Sequence, residues 1–211
     1  MKYKEIDCVD RRAHWERVYR KRAPSELSWF EPAPETSIRF IEAAKLGPGA
    51  RILDIGCGTS TLVDQLLSRG YHKIGVLDVA AAALRECRQR LGSRAAGVEW
   101  IECDVTEFKS QHQWDLWHDR AVLHFLTEPA DVEAYRSALL TALADQGQAV
   151  IATFGPQGPT RCSGLNVRRF DIHSLQEIVG PDLQLVDHQL QDHVTPSGVA
   201  QQFLFCRFRR S

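Results

Sequence analysis

Arg51-Ile52-Leu53-Asp54-Ile55-Gly56-Cys57-Gly58-Thr59-Ser60 runs from a short apolar segment into a turn with two closely spaced glycines. The apolar segment has the length of a buried strand, and the glycines allow positive φ and let a ligand come close to the backbone. Helical periodicity follows over 61–69, and the first N–H groups of a helix have no partner within it. Strand, glycine turn and helix opening together predict a nucleotide-type binding corner.

Outward from this corner, apolar runs at 73–77, 98–103, 114–118 and 148–154 alternate with helical stretches at 80–91 and 131–144. In the last of these Val132, Tyr135, Leu139 and Leu143 repeat on one face. That alternation predicts βαβ units feeding a parallel sheet. After a loop at 155–164, a helix at 172–179 leads into long strands at 183–195 and 201–209, joined by Pro196-Ser197-Gly198. The joint has tight-turn chemistry, so an antiparallel hairpin is expected at the sheet edge. Upstream, Trp15, Val18 and Tyr19 mark one face of a short helix over 14–22, with Asp10 as its cap. Pro24, Pro32 and Pro34 bracket Leu27-Ser28-Trp29-Phe30, which reads as an ordered loop before a helix at 37–46. We therefore divide the chain into an N-terminal helical lid segment, 1–49, and a binding domain, 50–211.

With 211 residues, 44% hydrophobic and 25% charged, the chain suits one α/β domain with a short extension and neither a disordered nor a fibrous protein. A formal net charge of -1 gives no global case for nucleic acid. Arg11, Arg12, Arg17, Arg20, Lys21 and Arg22, with only Glu16 among them, read as a solvated helix face. There is no apolar run of bilayer length, and Met1-Lys2-Tyr3-Lys4-Glu5 lacks the apolar core of a secretory signal, so a cytoplasmic protein without a membrane partner is expected. Cys8, Cys57, Cys87, Cys103, Cys162 and Cys206 form no C-x-x-C pair and should be reduced thiols. His118, His188 and His193 show no metal-ligand spacing, so no metal is expected.

The ligand's character follows from three acids. A dinucleotide fingerprint counted from Gly56 would need a glycine where Thr61 stands, and a pyrophosphate would be repelled by Asp54 at the strand end. A cationic ligand such as S-adenosylmethionine fits that carboxylate. The second strand ends in Leu77-Asp78-Val79, where a carboxylate can accept two ribose hydroxyls, a role shared with NAD enzymes. The third ends in Glu102-Cys103-Asp104-Val105, an acid beside an apolar residue, suited to an adenine amino group and its flat ring.

On these motifs the chain resembles the class I S-adenosylmethionine-dependent methyltransferase superfamily: Asp54-Ile55-Gly56-Cys57-Gly58 matches the first motif, Val76-Leu77-Asp78 the second, Glu102-Cys103-Asp104 the third, and the stretch from Trp114 through His118-Asp119-Arg120 to His124 the fourth. Ser60 departs from the third glycine of many members. A closer resemblance, to small uncharacterised bacterial methyltransferases, rests on His14-Trp15 with Tyr19, on Leu27 to Phe30 and on Thr160-Arg161-Cys162-Ser163-Gly164-Leu165.

The resemblance implies a three-layer, Rossmann-like α/β sandwich with a seven-stranded, mostly parallel sheet in the order 3-2-1-4-5-7-6, and methyl transfer from S-adenosylmethionine to an unidentified nucleophile on a small molecule or a protein side chain. It implies cofactor contacts from Trp15, Trp29, Asp54, Gly56, Cys57, Gly58, Asp78, Val79, Asp104, Val105, His118 and Asp119. Asp119 and His124 are the candidate bases, and Trp29, Phe30, Arg120, Arg161 and Cys162 the candidate acceptor contacts. Alignment alone can supply on the order of 7 to 11 kcal/mol, so no dedicated acid or base is obligatory. The alternatives are a protein that binds the cofactor without turnover and an NAD-dependent oxidoreductase.

Overall fold

The computed structural model describes residues 10–211; Cys8, the Met1 to Glu5 stretch and the start of the expected 1–49 segment lie outside the described residues. The helices are α1 (Arg11–Lys21), α2 (Glu35–Glu42), α3 (Leu62–Ser68), α4 (Ala81–Leu91), α5 (Pro129–Ala142) and α6 (Ile172–Val179). The strands are β1 (Arg51–Ile55), β2 (Lys73–Asp78), β3 (Val98–Glu102), β4 (Trp114–Arg120), β5 (Leu143–Phe154), the short pair β6 (Arg161–Cys162) and β7 (Leu165–Asn166), and the long pair β8 (Leu183–Val194) and β9 (Ala200–Arg210). Seven of them form one sheet in the order β3-β2-β1-β4-β5-β9-β8, parallel except at β9 and β8. This is the expected Rossmann-like sandwich with its C-terminal antiparallel hairpin.

β1 and β2 are buried along nearly their whole length, as parallel strands covered on both faces must be. On one face Leu53, Ile55, Trp117 and Ile151 pack with Tyr135 and Leu139 of α5 and Leu175 of α6. On the other, Ile52, Leu116, Val150 and Ala152 pack with Phe40 and Ile41 of α2 and Leu62 and Leu66 of α3. Successive strand residues alternate between the two cores, and the same alternation assigns the polar residues at the strand ends to one face or the other.

α1 starts as expected at Asp10, whose side chain accepts from the Ala13 N–H. It buries none of its residues fully and is pinned through polar contacts instead. Glu16 accepts from the Ala82 N–H, one of the donors left open at the start of α4, at 2.9 Å. Arg11 reaches Asp104 and Asp131, each at 2.7 Å.

Several boundaries differ from expectation, each for a local reason. β4 runs on to Arg120 rather than ending at His118, because its ladder with β5 continues through Asp119↔Ile151 and Arg120↔Ala152. α5 stops at Ala142, and the chain enters β5 through an irregular stretch in which Gln146 takes φ 61 and the register with β4 jumps from Leu143 to Gln148. The expected loop at 155–164 carries part of a small hairpin, whose turn places Ser163 at φ 50 and Gly164 at φ 81, the mirror-image geometry that suits a two-residue connection. α2 gives way at Ala43 to turns, with Lys45 at φ 55. No helix among the described residues is long and apolar enough to cross a membrane.

Candidate functional site

The carboxyl ends of β3, β2, β1, β4 and β5 open into one cavity of about 1250 Å³, its mouth included, which extends past β5 to Phe203 of β9. The strand order reverses between β1 and β4, and the crevice at such a reversal is where open α/β sheets bind ligands. Trp15 and Tyr19 of α1 and Trp29 of the following loop cover it: Trp15 meets Trp29 and Phe125 edge-on at 5.8 and 4.9 Å, and Tyr19 meets Trp29 at 6.4 Å.

The floor is the glycine turn. Gly56 and Gly58 take φ 62 and 52, and the Cys57 N–H bonds the Leu77 carbonyl, locking the turn to β2. A Cβ on Gly56 would lie 2.1 Å from Val122 Cγ2, and one on Gly58 would lie 2.7 Å from Tyr19 Oη. Glycine is thus required here both for its backbone angles and for space.

The three acids keep measurable spare capacity. A carboxylate offers about four acceptor positions. Asp78 Oδ2 accepts from the Gly58 N–H and Oδ1 from the Ala80 N–H, both at 2.8 Å, which leaves one position on each oxygen for a pair of neighbouring hydroxyls. Burial pushes Asp78 up to about 6 against those two N–H bonds, with Asp54 and Glu16 adding to the rise. Asp104 Oδ1 is filled by the Thr106 N–H and hydroxyl, while Oδ2 accepts from Arg11 Nε and retains one position for an amino group. Burial alone would raise Asp104, but Thr106 and Arg11 hold it below the ordinary carboxylate range. Asp54 Oδ1 receives the His118 Nδ1–H at 2.7 Å, and His118 Nε2 lies 2.9 Å from Ser37 Oγ, so this pair is aligned with Asp54 Oδ2 uncommitted. These donors and acceptors fit a ligand that joins a cationic end, a ribose and an adenine.

Strand alternation corrects two expectations about β4. His118 and Arg120 face the cavity, whereas Asp119 points to the opposite face and is absent from the cavity wall. Its carboxylate accepts from the Val122 and Leu123 N–H groups and the Tyr135 hydroxyl at 2.8, 3.1 and 2.7 Å, so it caps the turn after β4 and does not sit beside a reacting group. Burial, opposed by those bonds, pushes it up to about 6. His124 does line the cavity, but its Nδ1 accepts from the Phe154 N–H at 3.2 Å, and burial with help from Arg120 drives it down to about 3. A ring in that state has no free lone pair with which to act as a base.

Of the remaining candidates, Val79, Val105, Phe30 and Cys162 line the cavity. Burial pushes the Cys162 thiol up, away from a nucleophilic thiolate. Arg161 is exposed, spends an N–H on the Gly164 carbonyl and is not part of the wall. The sequence reading missed Arg11, Glu31, Ser37, Phe154 and Phe203, all on the wall, and His193 behind Glu31. Among the described residues no cluster of metal-ligating side chains occurs.

Residues 52–147 match the family described as "Methyltransferase domain". The chain is 27% identical over 108 residues to the eEF1A lysine and N-terminal methyltransferase of Mus musculus, spanning 50% of this chain and 14% of that protein. It is 29% identical over 116 residues to Nodulation protein S of Rhizobium tropici, spanning 55% of this chain and 47% of that protein. It therefore covers from a seventh to about half the length of these curated relatives. The crystal structure of the N-methyltransferase NodS from Bradyrhizobium japonicum WM9 in complex with S-adenosyl-l-homocysteine superposes with a TM-score of 0.72 at 17% identity, covering 93% of this chain and 98% of that one. Residues 52–147 thus match the methyltransferase-domain family, and the described residues have the seven-stranded Rossmann-like fold seen in that N-methyltransferase.

Proposed function

We propose that the protein transfers a methyl group from S-adenosylmethionine to a nucleophile on a small molecule or a protein side chain. The observation that carries this reading is the row of carboxylates at the ends of β1, β2 and β3, each with acceptor positions left over after its internal bonds. When bound, the cofactor supplies a methyl carbon activated by a sulfonium and open to in-line attack.

The chain's own residues hold and screen. Asp78 takes the ribose hydroxyls through its two remaining positions, and Asp104 Oδ2 takes the adenine amino group between Val79 and Val105. Asp54, oriented by His118, faces the ammonium end above the Gly56-Cys57-Gly58 turn. Trp15 and Trp29 close over the site from α1 and its loop, excluding water and turning aromatic faces towards positive charge. Phe30, Arg120 and Cys162 form the acceptor wall, with Arg161 outside it at the surface. Asp119 supports the β4 turn from the opposite face, and positioning without a dedicated base drives the reaction. The five described cysteines are free thiols, which supports a cytoplasmic, reducing setting.

Incubating the protein with methyl-tritiated S-adenosylmethionine and a lysate, then separating macromolecules from small solutes, tests the reading. Label in either fraction, dependent on the protein, is expected and classifies the acceptor. Absence of S-adenosylhomocysteine binding by calorimetry would overturn it.

A further inference from the structure

β8 is an edge strand whose outer rim is open. The Gly155 N–H donates to the Gln202 carbonyl at 2.9 Å, so the backbone groups of Gln202 face β5. Asp192, paired with Gln202, therefore turns its own N–H and C=O away from β9, and the unbroken register from Asp187 to Val194 does the same for His188 and Leu190. No backbone partner for these outward groups occurs among the described residues. Such rims invite pairing with another chain, and proteins blunt them with short strands, charge, proline or bulges. The opposite edge follows that rule: β3 is five residues long and carries Glu99 and Glu102. β8 has 12 residues with no Lys, Arg or Pro, and its one irregularity, between Leu185 and Asp187, lies outside the regular stretch.

The regular stretch is complementary to itself. Turned antiparallel about a two-fold axis at Leu190, a second copy sets Leu190 against Leu190, His188 against Asp192 and Asp192 against His188. Strand alternation puts these three and Val194 on one face, and all four are exposed, Leu190 at 52% and Val194 at 63%. Other registers lose the match: moving the copies by two residues in either direction sets Leu190 against His188 or against Asp192. The side chains of the opposite face are engaged within the chain, Gln189 with Arg39 and His193 with the Ser28 carbonyl, so the outward face decides the pairing.

We propose that this rim pairs with the same rim of a second copy of the chain, joining two seven-stranded sheets into one continuous sheet about a two-fold axis at Leu190. The pairing gives partners to the outward backbone groups of His188, Leu190 and Asp192 in both copies, covers Leu190, and lets each His188 imidazole hydrogen-bond the Asp192 carboxylate across the axis. Complementarity of histidine with carboxylate and of leucine with leucine in a single register selects a second copy over an unrelated extended segment. Because both copies offer the same surface, the assembly closes at two chains. A strand rim covers little area, so the dimer is weak and depends on concentration. No β8 residue belongs to the cavity wall, and the dimer stands apart from the methyl-transfer reading.

Sedimentation equilibrium of the wild-type protein from about 5 to about 500 μM tests this, a range that brackets a weak dimer. The mass is expected to rise from that of one chain to that of two and no further. At the high end, amide exchange should slow at His188, Leu190 and Asp192 but not at Gln189 and Gln191, whose N–H groups already face β9. Two single variants then probe the register. His188→Asp sets carboxylate against carboxylate, and Asp192→His sets imidazole against imidazole, each twice by symmetry, so either alone should weaken the dimer by about tenfold or more. Mixed in equal amounts, the two variants should recover wild-type association, since each then meets its complement. Leu190→Lys should leave a monomer. A single-chain mass throughout overturns the proposal, as does growth past two chains or exchange protection confined to another surface, and these readouts need no variant. A dimer that Leu190→Lys leaves intact, or mixed variants that associate no more tightly than either alone, overturns it as well.

Discussion

Asp78 sits where two opposing demands meet: burial favours its neutral form, while the Gly58 and Ala80 N–H groups, and any ribose hydroxyl, favour its charge. Its value of about 6 in the fold lies above the ordinary 3.8. Below the ordinary value both folded and unfolded chains hold the proton. As pH rises towards and past 6 the unfolded chain ionises first, so the ligand-free fold loses stability across that window. Hydroxyl donors pull the balance the other way, because they bind the charged form more strongly. S-adenosylhomocysteine affinity should therefore be highest above pH 6 and fall as pH drops through 6, by at most about tenfold per unit. Asp78→Asn should flatten that profile and weaken binding above pH 6 by about 1.5–3 kcal/mol, the worth of bonds to a charged acceptor. Calorimetry across this range checks both, and a flat wild-type profile would remove Asp78 from the ribose site. Asp119, also raised to about 6, serves the fold: in Asp119→Asn one oxygen still accepts, but the amide group that replaces the other turns its N–H bonds towards at least one of the three donors, which should cost about 1–3 kcal/mol in urea unfolding.

At the level of elements, the row of carboxylates proposed to hold the cofactor was legible as a row, because each acid adjoins an apolar run that ends in it, so that strand and acid are read from the same few residues. Asp54, Asp78 and Asp104 required only that the strands be parallel and adjacent. The half of the cavity over β5 and β9 was not legible. Glu31, His193 and Phe203 meet only because β9 inserts beside β5 and brings the hairpin over the proline-bounded loop, a contact that no local spacing encodes. The misplaced end of β4 had a larger effect: with the strand ending at His118, Asp119 read as a free residue at the cavity edge, whereas two more residues of ladder turn it to the opposite face. The meeting of the glycine turn with α1 is directly testable. A Cβ on Gly58 must push against Tyr19 Oη, at a φ of 52 that side chains rarely adopt. Gly58→Ala should weaken S-adenosylhomocysteine binding and speed amide exchange in α1, and adding Tyr19→Phe should restore part of both by removing the clash but not the backbone strain. Full restoration would show that space alone dictates glycine there, and none would show that the backbone angle does.

For the molecule as a whole, two apolar cores grip the sheet from either face, while the cavity at its edge is closed by α1, which buries no residue fully. A ligand seated between sheet and α1 adds contacts that the unfolded chain cannot make, so it stabilises the whole fold by mass action. At a concentration about a hundred times its dissociation constant that gain is about 2.7 kcal/mol. For a chain of this size each kcal/mol moves the unfolding midpoint by about 2–4 °C. S-adenosylhomocysteine should thus raise Tm by roughly 5–11 °C in a thermal melt, and NADH at equal concentration should leave it unmoved, because its pyrophosphate would meet Asp54 at the end of β1. In Asp78→Asn the shift at the same ligand concentration should shrink by most of that amount, since weaker binding enters the same logarithm. A midpoint raised by NADH and indifferent to S-adenosylhomocysteine would mean that the strand-end carboxylates do not select for a cationic ligand, and the charge argument on which the site assignment rests would fail with them.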